Sequence, residues 1–579
     1  MADFLALIPP RNERDVMTAV DAGRRTLAIE PTEIRIVRHR AGPVLIEFVG
    51  ASTALAVHGD DDAAERVTLF DGNAWLDGAS SFLSAADAAR IPLERARIHG
   101  VYHYVHVHQN GQVTASTDPL RAVPLVWLEH DRRVAIASRP SLLRAAFGLG
   151  DHDYTPAMWL SSIGYRVGDA THTRKVSFLP LNSSLHVTAD GRPAIRRRPD
   201  MWGKHDTRPL HERLLAFRRH VQAAFRLAIE EQGDVDLALS GGKDSRLMLA
   251  ILLDGDLHRD VKFTSWNFGT PEAPSADTHV ATRLAERYGL HLEVVDIPSA
   301  TYTPLGPDAF LRRLATHTGI TDGLIGVYAA LPARFWPHKK ITGLYGEALQ
   351  HYAKGATEPT ADVRIDSFLT IDPFGALMPD ARAFLAAEAE TEIRRYQDEA
   401  TEAGDPPDIF YITQRLPNWA GVQALHSGMF SPLYNLDLLT LPFEVPVQDR
   451  KDRWVHHSII SDVSAELADF PFANDAWPAR FRQPTQAATN PSSMPTFGSW
   501  QTGVNTSPPL RSTVTDLIAD ERGPWWDWLD RGRLLDLLHS DAELTLHQLE
   551  GLYGLVVVAQ WRSEPHPVDK VQFPSRCNL

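Results

Sequence analysis

The sequence predicts two domains: a sheet-rich α+β domain over residues 1–205, followed by an α/β domain over residues 206–579. Three observations support this. A chain of 579 residues is too long for a single hydrophobic core. The first third shows short alternating strands separated by turn signals. From about residue 235 onward, strands alternate with helices, which is typical of a parallel sheet covered by helices.

Composition and charge narrow the class of protein. Hydrophobic residues make up 44% of the chain and charged residues 23%, as in an ordinary globular protein. The formal net charge of −15 argues against a nucleic-acid-binding surface. The one basic cluster, Arg196-Arg197-Arg198, is short and is better explained as a solvated strand end. We therefore expect no nucleic-acid partner.

The single cysteine and the N-terminal sequence predict the compartment. Cys577 is the only thiol, so an internal disulfide framework and a cysteine-only metal site are excluded. A chain so poor in cysteine fits a reducing compartment. The N-terminus lacks the basic segment of a signal peptide, and no apolar run reaches the roughly 18 residues of a membrane span. We expect a cytoplasmic protein without a membrane partner.

The first domain is predicted to consist mainly of antiparallel strands. Alternating apolar residues mark strands at 44–49, 99–108 and 134–138. Asn110-Gly111 and Asp190-Gly191 are two-residue turn signals between such strands. Helical patterns are fewer and cover residues 11–26 and 139–147.

A group of histidines on one of these strands resembles a metal site in composition. His103, His106 and His108 lie close together in sequence. Because successive side chains of a strand point to opposite faces, only His106 and His108 share a face. Two imidazoles on one face are better explained as a polar strand surface, and we predict no metal there.

The second domain begins after a polar stretch at 202–208. Residues 211–232 have apolar side chains three or four apart and predict an amphipathic helix. The predicted elements that follow are a strand ending at Leu239, helix 245–253, strand 261–268, helix 276–288, strand 291–297 and strand 340–343. Beyond residue 362 the pattern is mostly helical, interrupted by a Pro- and Ser-rich stretch at 483–512 that is either a lid or a disordered insert.

The most informative stretch lies at the first strand–helix junction of this domain. Ser240-Gly-Gly-Lys-Asp-Ser245 follows the apolar residues 237–239 and precedes an apolar helical run. A small-residue loop at a helix N-terminus exposes backbone N–H groups, and the helix dipole favours an anion there. The adjacent glycines do not fit the usual P-loop spacing. The pattern is that of a pyrophosphate loop, as in enzymes that split ATP between its α and β phosphates.

These residues resemble the asparagine synthetase-like family over nearly the whole chain. The resemblance rests on the loop motif, on Ser275-Ala-Asp277, on Thr342-Gly-Leu-Tyr-Gly-Glu347 and on Ser431-Pro-Leu-Tyr-Asn435. In the first domain, Ser116-Thr-Asp-Pro-Leu-Arg-Ala-Val-Pro-Leu125 is similar to a stretch of the family's glutaminase domain. The resemblance implies a degenerate class II glutaminase-like (Ntn-type) sheet sandwich. For the second domain, the resemblance implies an adenine-nucleotide α-hydrolase-like parallel sheet with a helical C-terminal part.

The main departure from the family lies at the N-terminus. A working glutaminase domain of this family uses the thiol of a cysteine at position 2, whereas this chain has Ala2. Alanine offers no nucleophile, so glutamine cannot be hydrolysed by that route. The resemblance therefore points to the glutamine-independent relatives, such as β-lactam synthetase, lasso-peptide cyclases and amide ligases of antibiotic pathways. The expected partners are carboxylate and amine substrates, small molecules or peptides, and a homodimer is left open.

The resemblance also implies which residues bind ATP and Mg²⁺. Pyrophosphate is expected on the N–H and hydroxyl groups of the loop, and Lys243 is the family's variable position, whose ammonium is expected to point away. Asp244 and Glu347 follow two strands and are the expected Mg²⁺ ligands, because Mg²⁺ prefers one or two carboxylates together with phosphate oxygens. The expected nucleotide-binding residues are Leu237, Leu239, Ser240, Gly241, Gly242, Asp244, Ser245, Trp266, Asn267 and Gly343.

The second half-reaction has weaker counterparts in this sequence. Leu344 replaces the tyrosine that helps deprotonate the amine in β-lactam synthetase, and Tyr345 one residue later is the candidate in its place. No glutamate partner is found near 427–429. Arg480 or Arg482 is the candidate for the late lysine that stabilises the tetrahedral intermediate. Gly343 would let the backbone approach the ribose.

The predicted function is ATP-dependent amide-bond formation through an acyl-adenylate. The reaction is expected not to depend on glutamine and to belong to natural-product biosynthesis. Three alternatives stay open: a lasso-peptide macrolactam cyclase, a β-lactam synthetase-like ring closure, and a nucleotide-binding pseudoenzyme scaffold. The missing base and lysine weaken the β-lactam synthetase alternative and give the scaffold its support.

Overall fold

The computed structural model describes most of the chain. The described residues are 3–8, 36–41, 44–49, 55–58, 66–94, 96–131, 133–198, 202, 207–233, 235–267, 274–296, 340–352, 369–397, 405–420, 429–473, 476–481 and 503–563. Several sequence predictions lie outside them, namely Ala2, helix 11–26, Arg482, Cys577 and most of the 483–512 stretch.

Among its described residues, the first domain contains two antiparallel sheets of six strands each. The strands are β1 (Asp3–Ile8), β2 (Ile36–Ala41), β3 (Val44–Val49), β4 (Leu55–His58), β5 (Arg66–Leu76), β6 (Ile98–Val107), β7 (Val113–Thr117), β8 (Val126–His130), β9 (Arg133–Ala137), β10 (Ser177–Phe178), β11 (Ser183–Val187) and β12 (Pro193–Arg197). One sheet has the order β10-β8-β9-β1-β3-β2 and the other β12-β11-β7-β6-β5-β4. The predicted turns at Gly111 and Gly191 join β6 to β7 and β11 to β12, and both glycines have positive φ.

The two sheets pack face to face around one apolar core. Phe4 and Ile136 of the first sheet pack with Leu69 and Val105 of the second. The helices of this domain are α1 (Ala85–Ala88), α2 (Pro140–Phe147) and α3 (Thr155–Ile163). Residues of α2 cover the outer face of the first sheet, and α1 with its flanking residues covers the outer face of the second. This is the sheet sandwich that was predicted.

The predicted polar strand face is present on β6. His106 and His108 lie side by side, with ring centroids 4.5 Å apart. His103 points to the opposite face and packs edge-on against Phe4 in the core. The three imidazoles therefore do not converge, as the alternation of side chains on a strand requires.

In the part of the chain that the structure describes, the second domain is built on a parallel sheet of five strands. Its strands are β13 (Val235–Ala238), β14 (Val261–Asn267), β15 (Leu292–Asp296), β16 (Lys340–Ile341) and β17 (Met429–Phe430), in the order β15-β14-β13-β16-β17. The helices α4 (Leu210–Gln232), α5 (Lys243–Asp254) and α6 (Ala276–Tyr288) accompany the first strands. The α/β prediction is confirmed. Strand β17 was missed in the sequence because only two of its residues pair.

The rest of the second domain is helical, as predicted. The helices are α7 (Pro379–Gln397), α8 (Pro406–Phe410), α9 (Leu416–Ala420), α10 (Leu436–Glu444), α11 (Val447–Lys451), α12 (Trp454–Val463), α13 (Ala465–Asp469), α14 (Gly503–Thr506), α15 (Pro508–Ile518), α16 (Arg531–His539) and α17 (Leu546–Ser563). A π-helical turn, Tyr411–Arg415, joins α8 to α9, and short 3₁₀ turns cover Gly346–Leu349, Ala479–Phe481 and Pro524–Asp527.

The C-terminal end of the Pro- and Ser-rich stretch is helical, which corrects the prediction of a lid or insert for residues 503–512. Pro508 and Pro509 occupy the first turn of α15. Proline is tolerated there because the N–H groups of the first turn have no partner within the helix. Leu510 and Val514 are buried against α17 in a separate core, so this part of the stretch belongs to the folded domain.

The two halves of the chain share a core. Trp75 and Leu120 from the first domain are buried in the same apolar cluster as Phe430 and Tyr434 from the second. Trp75 packs edge-on against Phe430, with ring centroids 5.9 Å apart. The described sheets of the two halves therefore pack against each other along a continuous apolar interface, and the boundary near residue 205 stays a prediction.

Within the described part of the chain, no helix has both the length and the apolar composition needed to cross a bilayer.

Candidate functional site

The loop between β13 and α5 is held in shape by its own two serines. The amide of Ser240 donates to Ser245 Oγ at 3.2 Å, and the two hydroxyl oxygens lie 3.1 Å apart. Gly242 N donates to Ser240 Oγ at 3.2 Å and is the N-cap of α5. The loop is therefore compact, and it leads directly into the positive end of a 12-residue helix.

Gly241 is the point where this loop touches two other elements. Its amide donates to Asp277 Oδ1 of α6 at 2.9 Å. A Cβ at this position would lie 2.5 Å from Ala473 Cβ and 3.1 Å from Asp277 Oδ1. No side chain fits there without moving a neighbour. Burial raises the pKa of Asp277, while the hydrogen bond from Gly241 favours its charged form. Asp277 lies in the family-like stretch Ser275-Ala-Asp277 but was not among the predicted site residues.

Lys243 is directed at an aromatic pair. Its ammonium lies 4.6 Å from the ring centre of Phe472 and 5.2 Å from that of Trp477, and the residue is buried. A cation held against two rings has a stabilising contact of its own. The expectation that this side chain plays no part in holding phosphate fits that placement.

The two predicted metal ligands lie at the same edge of the parallel sheet. Asp244 is in the first turn of α5, after β13, and Glu347 is in the 3₁₀ turn after β16. Strands β13 and β16 pair in parallel, so their carboxyl ends meet at one edge. A Cβ on Gly346 would overlap the carboxylate of Asp244, so the turn that carries Glu347 closes tightly on Asp244. Gly343 packs on α5 as well, because its Cβ position is 3.1 Å from Asp244 Cβ.

Glu347 is electrostatically strained. One of its carboxylate oxygens, Oε2, is buried and has no hydrogen-bond partner among the described residues. Burial, and then the charge of Asp244, raise the pKa of Glu347 to about 8. A cation beside both carboxylates would supply the missing partner and remove the repulsion. The donor set therefore fits Mg²⁺, which favours carboxylate oxygens.

A histidine that sequence reasoning missed orients Asp244. His456 Nε2 lies 2.7 Å from Asp244 Oδ1, and the imidazole is almost wholly buried. His456 Nδ1 has no hydrogen-bond partner among the described residues. The proton is therefore best placed on Nε2, which donates to the carboxylate. His456 lies on α12, 212 residues beyond Asp244, and no local motif marks it.

Tyr345 occupies a buried position in the same turn. Its φ of 76° is in the left-handed region, and its ring stacks on Tyr434 with centroids 4.4 Å apart. The Tyr434 hydroxyl donates to Asp118 Oδ1 at 2.6 Å, which links this stack to the family-like stretch of the first domain. Burial raises the pKa of Tyr345 well above 10, so its hydroxyl stays protonated. It can donate a hydrogen bond but is a poor base.

The predicted adenine-binding residues lie at the ends of β13 and β14. Leu237 and Leu239 are buried in the main core. Asn267 receives a hydrogen bond from Ser275 N at 2.9 Å and donates to Asp296 at 2.7 Å, so it fixes the chain that leaves β14. Trp266 precedes it and is half-buried. The assignment of these residues to adenine stays a prediction.

Arg480 has a structural partner set. Its guanidinium bonds to Asp449 and Asp452, at 2.7 Å each, and lies over the ring of Phe481. Two carboxylates already offset its charge, which makes it less suited to stabilise an oxyanion. No described contact joins Arg480 to the loop or to Glu347. Its catalytic role, like that of Arg482, stays a prediction.

A cavity of about 280 Å³ opens beside Glu347. It was not predicted, because its walls come from distant parts of both domains. Its lining includes four aromatic residues, an ion pair between Arg415 and Glu550, and His547. The full lining is Ile163, Tyr165, Glu347, Tyr352, Leu369, Thr370, Tyr411, Arg415, Trp419, His547 and Glu550.

Comparison with known proteins gives no family assignment. No protein-family model matches the chain. No curated protein matches it either.

Solved structures align with parts of the chain at low similarity. One is the glutamine phosphoribosylpyrophosphate amidotransferase of B. subtilis complexed with ADP and GMP, with 10% identity and a TM-score of 0.22, covering 51% of this chain and 65% of that one. An allosteric regulatory enzyme of purine biosynthesis aligns at 10% identity and a TM-score of 0.23, covering 51% of this chain and 80% of that one. The U34-tRNA thiolase NcsA of Methanococcus maripaludis, with its 4Fe–4S cluster, aligns at 14% identity and a TM-score of 0.17, covering 35% of this chain and 77% of that one. At this similarity the fold assignment rests on the strand orders themselves.

Proposed function

We propose that this chain is an ATP-dependent ligase that adenylates a substrate carboxylate, releases pyrophosphate and joins the acyl group to an amine. The observation that carries the proposal is the pairing of Asp244 with Glu347 beside the loop. Asp244 is half-buried and Glu347 is buried with an unpartnered oxygen, and a cation beside both carboxylates would offset their mutual repulsion. The adjoining helix N-terminus favours an anion. A divalent cation next to an anion site is what MgATP requires.

The chain's own residues would divide the work of holding ATP. Ser240, Gly241, Gly242 and Ser245 form the loop that would hold the β and γ phosphates, with the first-turn N–H groups of α5 directed along the helix axis. Asp277 and the two serine hydroxyls already accept from the amides of Gly241, Gly242 and Ser240, so the loop is fixed in shape, and these amides would have to exchange those partners to bind phosphate.

Asp244 and Glu347 would hold Mg²⁺, and His456 would keep Asp244 in its orientation. When bound, the ion would offset the charge of the phosphates and favour attack on the α phosphorus by the substrate carboxylate. Binding would also displace the proton that Glu347 holds below about pH 8.

Adenylation makes chemical sense of this arrangement. A carboxylate does not react usefully with an amine, because oxide is a very poor leaving group. Transfer of the adenylyl group to the carboxylate breaks the bond between the α and β phosphates of ATP and releases pyrophosphate. The amine then attacks the acyl carbon, AMP leaves, and the amine loses a proton. Tyr345 is a candidate only for donating a hydrogen bond in this second step, because its pKa lies well above 10.

We place the nitrogen source in a substrate amine. This rests on the resemblance, since Ala2 lacks the thiol by which the glutaminase domains of that family release ammonia. In this proposal the first domain has a structural role, to which the hydrogen bond between Tyr434 and Asp118 contributes. The natural-product setting and the identity of the amine are parts of the same proposal.

ATP–pyrophosphate exchange tests the proposal. With a panel of aromatic, aliphatic and amino-acid carboxylates, we expect Mg²⁺-dependent exchange with at least one acid. Asp244→Asn should reduce that exchange at least roughly a hundredfold, because it removes a carboxylate from the cation site. Asp536→Asn is the matched control, since Asp536 is an exposed acid on α16. Binding of ATP without exchange for any acid would favour a nucleotide-binding scaffold.

A further inference from the structure

The cavity beside Glu347 is bounded by both domains. Ile163 and Tyr165 come from the end of α3 in the first domain, and His547 and Glu550 come from the C-terminal helix α17. Glu347 forms the wall nearest the loop. Any group held in this cavity would therefore have one end next to the carboxylates that we assign to Mg²⁺.

The walls of the cavity are mainly flat rings. Tyr352 stacks on Tyr411, with centroids 4.4 Å apart and an angle of 29° between the rings. Tyr165 and Trp419 both contact the Arg415 guanidinium, whose central carbon is 4.6 Å and 5.3 Å from their ring centres. Flat aromatic walls favour a planar ligand, which gains stacking or edge contacts in addition to burial of its surface.

One part of the lining carries a balanced set of charges from Arg415, Glu550 and His547, and the charge of Arg415 also favours the ionised form of Glu347. Glu550 accepts from Arg415 at 3.2 Å and lies 3.0 Å from His547 Nδ1, and its side chain is 10% exposed. The hydrogen bond to Glu550 raises the pKa of His547. Because a guanidinium and an imidazole already offset the carboxylate of Glu550, this part of the lining does not require a cationic ligand. It offers a carboxylate acceptor to a neutral hydroxyl or amino group.

The wall that contains Glu347 and Tyr352 is anchored by a buried polar cluster. Tyr352 N donates to Asp408 Oδ1 at 2.7 Å, and the other oxygen of Asp408 lies 3.1 Å from His351 Nδ1 and 2.6 Å from Arg450. These groups are buried. The segment that runs from Glu347 to Tyr352 is therefore held in place, and the cavity is largely pre-formed.

We propose that this cavity is the acyl pocket of the ligase proposed above, and that it takes a small aromatic carboxylic acid with a ring hydroxyl or amino group that donates to Glu550. The inference rests on the proposed function, in which the carboxylate of the bound acid is adenylated. The size supports a small acid, since about 280 Å³ is at the lower edge of the roughly 300–1,000 Å³ typical of ligand pockets. We therefore expect a small acid rather than a tetrapeptide to bind.

Two measurements with named probes test the inference. The probes are 4-hydroxybenzoate, 4-aminobenzoate, benzoate, cyclohexanecarboxylate and a tetrapeptide with a free C-terminus. By saturation-transfer NMR without ATP, the substituted benzoates should bind and the tetrapeptide should not. In ATP–pyrophosphate exchange, 4-hydroxybenzoate should exceed cyclohexanecarboxylate at least roughly tenfold in kcat/KM, because only it stacks and donates to Glu550.

A matched pair of variants tests whether Glu550 determines the selectivity. Glu550→Gln should reduce the preference for 4-hydroxybenzoate over benzoate at least roughly fivefold while leaving exchange with benzoate measurable. Glu543→Gln, an exposed acid near the start of the same helix, should leave the preference unchanged.

The outcomes separate this inference from the proposed function. Exchange driven only by aliphatic acids or by the peptide would overturn the aromatic pocket and leave the ligase standing. Binding of the substituted benzoates with no exchange for any acid would support the pocket and count against the ligase. Equal binding of benzoate and cyclohexanecarboxylate by the wild-type protein would overturn the inference without reference to any variant.

Discussion

At the scale of single residues, the candidate site depends mainly on the carboxylates of Asp244 and Glu347. Asp244 and Glu347 come from segments about a hundred residues apart, and the parallel pairing of β13 with β16 brings them to one sheet edge. Glu347 is left with a buried oxygen that has no partner among the described residues. Such an arrangement costs stability unless a proton or a cation is present, so it is a functional signal with a physical cause.

Glu347 should make the stability of the metal-free protein depend on pH. Its pKa of about 8 lies above its ordinary 4.5, so its contribution to folding is full below about pH 4.5 and is lost as the pH rises to about 8. Glu347→Gln removes that loss. We expect its Tm without Mg²⁺ to match that of the wild type at pH 4.5 and to exceed it increasingly up to pH 8.

Differential scanning fluorimetry over this pH range, with EDTA present, measures the effect. Adding Mg²⁺ and ATP at pH 8 should raise the wild-type Tm more than that of the variant. A Tm difference that shrinks as the pH rises from 4.5 to 8 would show that Glu347 is not held above its ordinary pKa.

His456 should act on Mg²⁺ affinity through Asp244. His456→Ala removes the N–H that holds the carboxylate, and loss of such an outer partner typically costs about 10–100-fold in metal affinity. His456→Gln keeps an N–H donor and should recover part of that loss. The Mg²⁺ dependence of ATP–pyrophosphate exchange measures both variants.

A merely structural role for His456 predicts a different result. Both variants would then lower the Tm, and the Mg²⁺ concentration for half-maximal exchange would stay unchanged. Exposed His539, at the end of α16, provides the matched control as His539→Ala.

At the scale of elements, the loop before α5 depends on a close approach by α6 and the segment after α13. Gly241→Ala places a methyl group 2.5 Å from Ala473 Cβ. Overpacking of this kind typically costs about 1–3 kcal/mol. We expect a lower free energy of unfolding and weaker ATP binding, both measured by titration of the purified variant.

A second substitution separates packing from chemistry. Ala473→Gly removes the clashing methyl, so the double variant Gly241→Ala, Ala473→Gly should regain stability relative to Gly241→Ala alone. If the double variant were no more stable, the contact with Ala473 would not be what requires glycine at position 241.

The sequence predicted the elements that carry strong periodicity and missed those that depend on tertiary contacts. Helix α6 was predicted with its observed ends, because Ser275 caps its first turn and Gly289 ends it. Strand β17 has only two paired residues, so no alternation could mark it. Helix α15 begins at two prolines, which in the sequence resembled a loop. The loop at 240–245 is a local pattern and could be recognised in the sequence, whereas His456 and the cavity depend on contacts between distant segments and were not predicted; the assignment of the loop to ATP stays a prediction.

At the scale of the whole molecule, the two domains are joined by a partly buried chain of hydrogen bonds, in which Asp437 is buried and Asp77 is exposed. Asp77 Oδ1 lies 2.7 Å from His99 Nε2 and 3.0 Å from His220 Nε2, and His220 Nδ1 lies 2.5 Å from Asp437 Oδ2. Arg208 also bonds to Asp437 at 3.3 Å. Leu436 N donates to His99 Nδ1, so the proton of His99 is on Nε2 and its lone pair is not available to a metal.

This chain should stabilise the contact between the domains below about pH 9. Burial opposes the charge of His220, but hydrogen bonds to Asp437 and Asp77 outweigh it and raise the pKa to about 9, above the ordinary 6.5. The stabilisation is therefore full below about pH 6.5 and is lost as the pH rises through 9. His220→Gln should lower the free energy of unfolding by about 1.5–3 kcal/mol at pH 6 and by less at pH 10.

Chemical denaturation at the two pH values measures this, with His539→Gln as an exposed control. An equal loss at pH 6 and pH 10 would mean that the histidine contributes by packing alone and that its charge has no role at the domain contact.

In the proposed function, the loop at 240–245, with Asp244 and Glu347, binds ATP for cleavage between its α and β phosphates. Product analysis by ³¹P NMR tests it most directly. The protein is incubated with MgATP, the panel of carboxylic acids and hydroxylamine, which traps an activated acyl group. We predict AMP and pyrophosphate in equal amounts, together with a hydroxamate of the accepted acid. Formation of ADP and phosphate, or intact ATP with every acid, would contradict the claim.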